Sequence, residues 1–296
     1  MDPFLIAVMG PTASGKTDLA ERLADQLGAL LVNADAFQIY RGMDIGTGKP
    51  TDRRRYSLLD IRNPNESFGV GEWVGLASGI LRDAYSHGRS VITVGGTGLN
   101  VRALFEEYSG MMSAPNPGLR QRLNAKLERE GLPSLVQELE MLDKEALGTI
   151  DLANPMRVIR AIERVQSTKS VPPVALPPFK RKKLALDVPV DEIDGRIENR
   201  VRQMMQNGWA QEIERLREDG YSPEDPGFRA IGYRTMWEVV EGALTENEAA
   251  EKTVLETRRY AKRQRTWLRS EPHLLRIDAR SGADTCGQAM HFFALD

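Results

Sequence analysis

Gly10-Pro11-Thr12-Ala13-Ser14-Gly15-Lys16-Thr17 has the residue types and spacing of a phosphate cradle: glycine, four residues, then Gly-Lys-Thr. In such a loop, backbone N–H groups and a helix N-terminus face an anion. Gly10, Thr12, Ala13, Ser14, Gly15, Lys16 and Thr17 are therefore candidate polyphosphate ligands. Lys16 would place a point charge on the distal phosphates, and the Thr17 hydroxyl would hold Mg²⁺. The loop implies a polyphosphate but leaves open which one and what is done with it.

The elements that must position this loop are readable on both sides of it. Phe4-Leu5-Ile6-Ala7-Val8-Met9 is a short apolar run that predicts a buried strand. Leu19, Ala20, Leu23, Ala24 and Leu27 recur at helical spacing, and Gly28 is a C-cap. Leu30-Leu31-Val32-Asn33-Ala34-Asp35 predicts a second buried strand ending in a carboxylate. Strand C-termini carry the ligands in open α/β sheets, so Asp35 falls on the same edge as the loop. By itself it reads equally well as a turn carboxylate or a helix N-cap. A polar glycine-rich loop follows over 41–50, then the basic run Arg53-Arg54-Arg55 and a short edge strand over 57–61. Residues 71–87 predict a helix closed by His87-Gly88, with His87 as a cap. Ser90-Val91-Ile92-Thr93-Val94 is a third strand running into Gly95-Gly96-Thr97-Gly98-Leu99-Asn100. The absence of an acid at its end argues against a motor-type or switch-type hydrolase.

From Ser113 the texture becomes helical. Asn116-Pro117 opens a helix that Gly131 stops, Ser134 to Gln137 has capping-box spacing, and Asn154-Pro155 opens a third helix. A proline-rich linker over 172–178 and a basic knot, Lys180-Arg181-Lys182-Lys183, precede a return strand over 184–188. The fold expected is α/β: a P-loop NTPase-like parallel sheet flanked by helices, with a helical insertion. Its expected segments are a core over 1–113, the insertion over 114–180, and a return to the core over 181–296. In the last segment Ile193, Ile197, Val201, Met204 and Met205 form a core stripe. The stretch 252–269 carries Arg258, Lys262, Arg265 and Arg269 on one face, with Tyr260, Gln264 and Trp267 interleaved. Few acids stand at matching offsets, so this face suits phosphate contact and base stacking. A strand over 274–278 and a loose tail of 18 residues complete the chain.

Among the 296 residues 41% are hydrophobic and 28% charged, with a net charge of −2. That composition suits a globular protein and announces no nucleic-acid partner globally. One cysteine, Cys286, excludes a disulfide framework and a cysteine-rich zinc site. No run is long enough to span a membrane, and the first strand begins within a few residues, so a cytoplasmic protein without membrane partners is expected.

Taken in order, these motifs resemble the bacterial tRNA dimethylallyltransferase (isopentenylpyrophosphate transferase) family. They are the phosphate loop, Asp35-x-x-Gln38-x-Tyr40-Arg41-Gly42-Met43-Asp44-Ile45-Gly46-Thr47, Gly95-Gly-Thr97-Gly, Asn154-Pro-x-Arg157-x-x-Arg160-Ala-x-Glu163, Arg229-Ala-Ile-Gly-Tyr233 and Tyr260-Ala-Lys-Arg-Gln-x-Thr-Trp267. The resemblance spans about residues 4–278. It implies transfer of a dimethylallyl group from dimethylallyl diphosphate to N6 of the adenosine 3′ of a tRNA anticodon. The phosphate loop then binds the prenyl donor's diphosphate with Mg²⁺ as cofactor, and Asp35 is the general base. Thr97 and Arg229 lie around the reacting centre. Asp35, Ala36, Phe37, Gln38, Thr97, Arg120 and the stretch Met156, Arg157, Val158, Ile159 and Arg160 meet the anticodon stem-loop. To these the basic face adds Arg258, Lys262 and Arg265. A monomer is implied. The sequence departs from the family pattern at Asn100, at Arg55-Tyr56-Ser57 and at Ala36-Phe37. Three other readings stay open on the residues alone: an adenylate dimethylallyltransferase, a small-molecule P-loop kinase using ATP, and a non-catalytic RNA-binding module.

Overall fold

The computed structural model describes residues 2–106, 116–167 and 175–294. The chain divides into two compact units, Met1–Phe105 with Leu176–Asp296, and Glu106–Ala175. The expected boundary at 113 falls on residues outside those described, as do residues 172–174 of the proline-rich linker.

The first unit is built on six parallel strands: β1 (Phe4–Met9), β2 (Leu30–Asn33), β3 (Tyr56–Ser57), β4 (Val91–Val94), β5 (Lys180–Asp187) and β6 (Leu274–Asp278). Their spatial order is β3-β2-β4-β1-β5-β6, with every neighbouring pair parallel. β1 lies at the centre, and Leu5, Ile6, Ala7 and Val8 are fully buried on both faces. That accounts for its unbroken apolar run. The loops after β1, β2 and β4 leave from the C-terminal edge of adjacent strands, where open α/β sheets bind ligands.

Helices α1 (Lys16–Leu27), α2 (Val70–Ser86) and α3 (Gly98–Phe105) follow β1, β3 and β4. Gly28 closes α1 in the left-handed conformation, and His87 caps α2. After β5 come α7 (Val190–Gln206), α8 (Trp209–Glu218), α9 (Tyr233–Val240) and the long α10 (Glu246–Arg269). A capping box at Thr245 and Glu248 starts α10.

The second unit packs α4 (Pro117–Glu130), α5 (Leu132–Leu142) and α6 (Pro155–Gln166) around Leu123, Leu135, Leu139, Val158, Ile159 and Ile162. Asn116 and Asn154 cap α4 and α6 as their sequence predicts. The capping box expected at Ser134 does not form. The helix starts at Leu132, and the Ser134 hydroxyl instead donates to the Gly131 carbonyl inside the first turn.

Two further expectations are corrected. The last 18 residues are not a loose tail, because α11 (Thr285–Ala294) packs on α1 and β6 and buries Cys286 and Ala289 in the main core. The return strand expected over 184–188 starts earlier: the basic knot Lys180–Lys183 begins β5, and the Lys183 ammonium is buried against Glu271 at 2.6 Å.

Candidate active site

The phosphate loop folds as its glycines require. Gly15 takes a left-handed φ of 91° just ahead of α1, and Ala13 adopts φ 61° without being glycine. This strained turn aims the first amides of α1 into a cavity of about 620 Å³. Residues Thr12 to Thr17 line that cavity together with Asp35, Gln38, Gly95 and Gly96. Three loops that the sequence placed on one sheet edge thus meet around one space.

The Lys16 ammonium donates to the Pro11 carbonyl at 2.8 Å. Burial lowers its pKa to about 8, the neighbouring Arg200 guanidinium adds to the effect, and Asp35 opposes it. Arg200 is itself lowered by burial, with Asp35 again opposing. Two cations held close together in a confined space are a poor arrangement without an anion and a good one around a diphosphate. The Thr17 hydroxyl is exposed on the first turn of α1 and faces the same cavity. A hydroxyl beside phosphate oxygens fits a largely hydrated Mg²⁺. No cluster of three metal-ligating side chains occurs among the described residues. The residues present therefore fit a metal held mainly through a phosphate ligand.

Asp35 follows β2 directly. Its Oδ1 accepts from the backbone N–H of Phe37 at 2.9 Å and of Gln38 at 3.4 Å, while its own N–H donates to Asn33 Oδ1. The carboxylate is thereby fixed by one oxygen, and Oδ2 has no hydrogen bond among the described residues. The Thr97 hydroxyl accepts from the Ala36 N–H at 3.2 Å, so Thr97 reaches the site through the backbone beside Asp35. Asn100, a departure from the family pattern, is buried and donates to the Ala34 carbonyl at 3.2 Å. Tyr56, the second departure, gives its hydroxyl to Glu21 and lines the cavity.

A smaller cavity of about 240 Å³ shares Thr12, Asp35, Thr47, Arg200 and Tyr260 with the first. Its other walls include Phe37, Met204, Trp209, Arg229 and Ile231. Arg229 is exposed at the end of a 3-10 turn over Pro226–Arg229. Burial is the first cause that pushes the Tyr260 phenol up to about 12, and Asp35 adds to it.

Sequence reasoning missed the residues that hold the loop over 41–50. Glu212, in the first turn of α8, is buried and accepts from the backbone N–H of Asp44 at 2.8 Å, Ile45 at 2.7 Å and Gly46 at 3.4 Å. It also accepts from the Tyr233 hydroxyl at 2.7 Å. Burial raises the Glu212 carboxyl pKa, against those four donors. Behind the loop the buried Lys49 ammonium bridges Asp44 and Asp60 and donates to the Tyr40 carbonyl. The Gln38 amide then holds the carbonyls of Thr47 and Gly48. A weak signal existed: Glu212 stands on the apolar stripe of Trp209, Ile213 and Leu216, and Arg200 borders the stripe of Ile197, Val201 and Met204.

The expected RNA-facing residues are not all placed alike. On α6, Met156 and Arg157 are exposed, but the side chains of Val158 and Ile159 are fully buried in the helical core. Arg120 makes a bidentate pair with the buried Glu163 at 2.7 and 2.6 Å, and Arg160 joins it at 3.2 Å. On α10, Lys262 is exposed and Arg265 lines a separate small pocket with Arg269 and Arg276. Arg258 finds the acidic partners its own helix lacks on α7, pairing with Glu198 and Asp194. Trp267 lies against Gly98 and under the Arg102 guanidinium, so it is a packing residue of the first unit.

The model of the IPP transferase family matches residues 38–271, and that of isopentenyl transferase matches 3–60. The chain belongs to the IPP transferase family. It is 35% identical to tRNA dimethylallyltransferase 2 of Geotalea uraniireducens, over 98% of this chain and 97% of the relative. It is 36% identical to the tRNA dimethylallyltransferase of Salinispora tropica, over 97% and 91%. The crystal structure of the Bacillus halodurans tRNA isopentenylpyrophosphate transferase superposes with a TM-score of 0.72 at 32% identity, covering 99% of this chain and 96% of that one. A eukaryotic dimethylallyltransferase acting on tRNA gives 0.77 at 18% identity, covering 100% and 79%, which supports the fold alone. Among the described residues no helix is long and apolar enough to cross a membrane.

Proposed function

We propose that this chain transfers a dimethylallyl group from dimethylallyl diphosphate to the exocyclic N6 of the adenosine 3′-adjacent to a tRNA anticodon, giving N6-(dimethylallyl)adenosine. The observation that carries this reading is the meeting of a polyphosphate cradle and a fixed carboxylate in one cavity, within a chain of the IPP transferase family.

The adenine amino group is a poor nucleophile because its lone pair is delocalised into the ring, and it gains acidity only as its bond to carbon forms. Asp35 then need only accept the proton as positive charge develops on nitrogen. The carbon–oxygen bond to diphosphate breaks on the opposite side. The phosphate-loop amides, Lys16 and Arg200 are placed to stabilise the charge left on the leaving group. When bound at Thr17, Mg²⁺ would add charge neutralisation on the diphosphate. The target base must leave its stack to reach Asp35, which costs less in an anticodon loop than in a duplex. The smaller cavity, with Phe37, Met204 and Ile231 beside Asp35, is an apolar space continuous with the reacting centre. Tyr260 and Arg229 border it.

The test is incubation with labelled dimethylallyl diphosphate and Mg²⁺, with either total tRNA or AMP as acceptor, followed by nucleoside analysis. Label in tRNA adenosine is the expected result. Label on AMP alone would assign the chain to adenylate prenylation. Phosphoryl transfer from ATP without prenyl transfer would make it a kinase.

A further inference from the structure

Gln264 on α10 stands among the basic residues that suggest an RNA face, yet it is buried and points inward. Its Oε1 accepts from the backbone N–H of Thr12 in the phosphate loop at 2.8 Å. Its Nε2 donates to the carbonyl of Gly96 at 3.0 Å. The two partners are of opposite kind, so only one orientation of the amide satisfies both. Gly96 leaves no room for a Cβ, because one there would meet the Gln264 amide. The glycine after β4 is thus explained by a side chain 168 residues further along the chain.

The contacts continue from Gly96 to the base. Gly95 packs so closely on the backbone of Ala34 and Asp35 that a side chain would collide with it. The Thr97 hydroxyl accepts from the Ala36 N–H. One line of contacts therefore runs from Thr12 through Gln264 and Gly96 to the backbone that carries Asp35. We infer that Gln264 is a positioning residue that sets the separation between the diphosphate cradle and the Asp35 carboxylate, and that it makes no contact with RNA.

This inference rests on the proposed prenyl transfer. A two-substrate reaction needs donor carbon and acceptor nitrogen held in line, and a misplacement of about 1 Å costs on the order of 10²-fold in rate. No other side chain among the described hydrogen bonds joins the phosphate loop to the loop after β4. Losing the amide frees the two loops from one another while leaving each one's own ligands in place.

The test compares Gln264→Met and Gln264→Glu with the wild type, using full-length protein, dimethylallyl diphosphate and tRNA. Gln264→Met keeps the volume and removes both hydrogen bonds. Gln264→Glu keeps an acceptor for Thr12 and removes the donor to Gly96. Expected are a fall in kcat of about 10²-fold for the first and about tenfold for the second. KM for the prenyl donor should rise, while tRNA Kd stays within about twofold of the wild type. A loss confined to tRNA affinity, with donor KM and kcat unchanged, would overturn the inference and return Gln264 to the RNA face. Wild-type kinetics in either folded variant would overturn it too. If the wild type itself transfers no prenyl group to tRNA, the proposed function fails before the variants are measured.

Discussion

The phosphate loop and the glycine-rich loop over 41–50 form neighbouring walls of one cavity, yet they are held in different ways. The first takes its turn from its own residues, a left-handed Gly15, a strained Ala13 and the start of α1 immediately behind it, with Gln264 tying Thr12 from outside. The second also has left-handed glycines, Gly42 and Gly48, and a Thr47 hydroxyl bonded to the Met43 carbonyl, but its tip is held from elsewhere in the chain. Its three consecutive N–H groups are gathered by Glu212, up to 168 residues away in sequence, and its rear is pinned by Lys49 to Asp44 and Asp60. A wall made locally can be read from a short pattern, whereas a wall made by a distant buried carboxylate cannot.

That contrast can be broken at either wall. Lys16→Ala removes the fixed charge from the locally built one. It should lower kcat/KM by about 10³-fold, chiefly through lost stabilisation of the leaving diphosphate, with the protein still folded. Steady-state kinetics with thermal unfolding as the control checks this. Glu212→Gln attacks the remotely built wall. The amide cannot accept from all four donors and turns an N–H toward the loop, so kcat/KM should fall by about 10²-fold. Here stability should fall with it, by about 2 kcal/mol, as buried N–H groups lose partners. Loss of activity without loss of stability would show that Glu212 does not hold the loop.

These two residues also mark how far the sequence could be read. The buried strands β1, β2 and β4, the cradle, the position of Asp35 after β2 and the caps at Gly28, Asn116 and Asn154 rest on local patterns and lie where expected. The Ser134 capping box, by contrast, does not form, and the edge strand expected over 57–61 is only Tyr56–Ser57. What stayed hidden was pairing between distant elements. Glu212 and Arg200 were residues on or beside apolar stripes, Gln264 one polar residue in a charged helix, and Lys183 part of a basic run. Burial reversed the natural reading of the last two, because β5 is an interior strand and α10 turns one face inward. The C-terminal segment looked loose, but Cys286 and Ala289, with Met290, Phe292 and Phe293 against them, join the main core beside α1.

The pH dependence sharpens the same comparison more gently. Burial and Arg200 lower Lys16 from its ordinary 10.5 to about 8 in the free protein. Between about pH 8 and 10.5 the unfolded chain keeps a proton that the folded chain has lost, so stability from this group rises with pH across that window. A bound diphosphate favours the charged ammonium. Pyrophosphate affinity should therefore decline several-fold as pH rises above about 8, with proton uptake on binding, measurable by calorimetry in two buffers. A flat profile would mean that Lys16 stays charged in the free site.

The smallest effects belong to the outer arginines. Arg157 is exposed, whereas Arg258 is already engaged by Glu198 and Asp194. Arg157→Ala should weaken tRNA binding and reduce the slope of log affinity against log salt by about 0.7 to 0.9. Arg258→Ala should change that slope by less. Equal slopes would show that the α7 carboxylates release Arg258 to RNA.

The most direct measurement is a rapid-quench single turnover of Asp35→Ala with saturating tRNA and dimethylallyl diphosphate. The account predicts that tRNA and pyrophosphate bind within about twofold of the wild type while the chemical step slows by about 10²- to 10⁴-fold. Weakened tRNA binding with a normal rate at saturation would contradict it, making Asp35 a binding residue and leaving the proton without an acceptor.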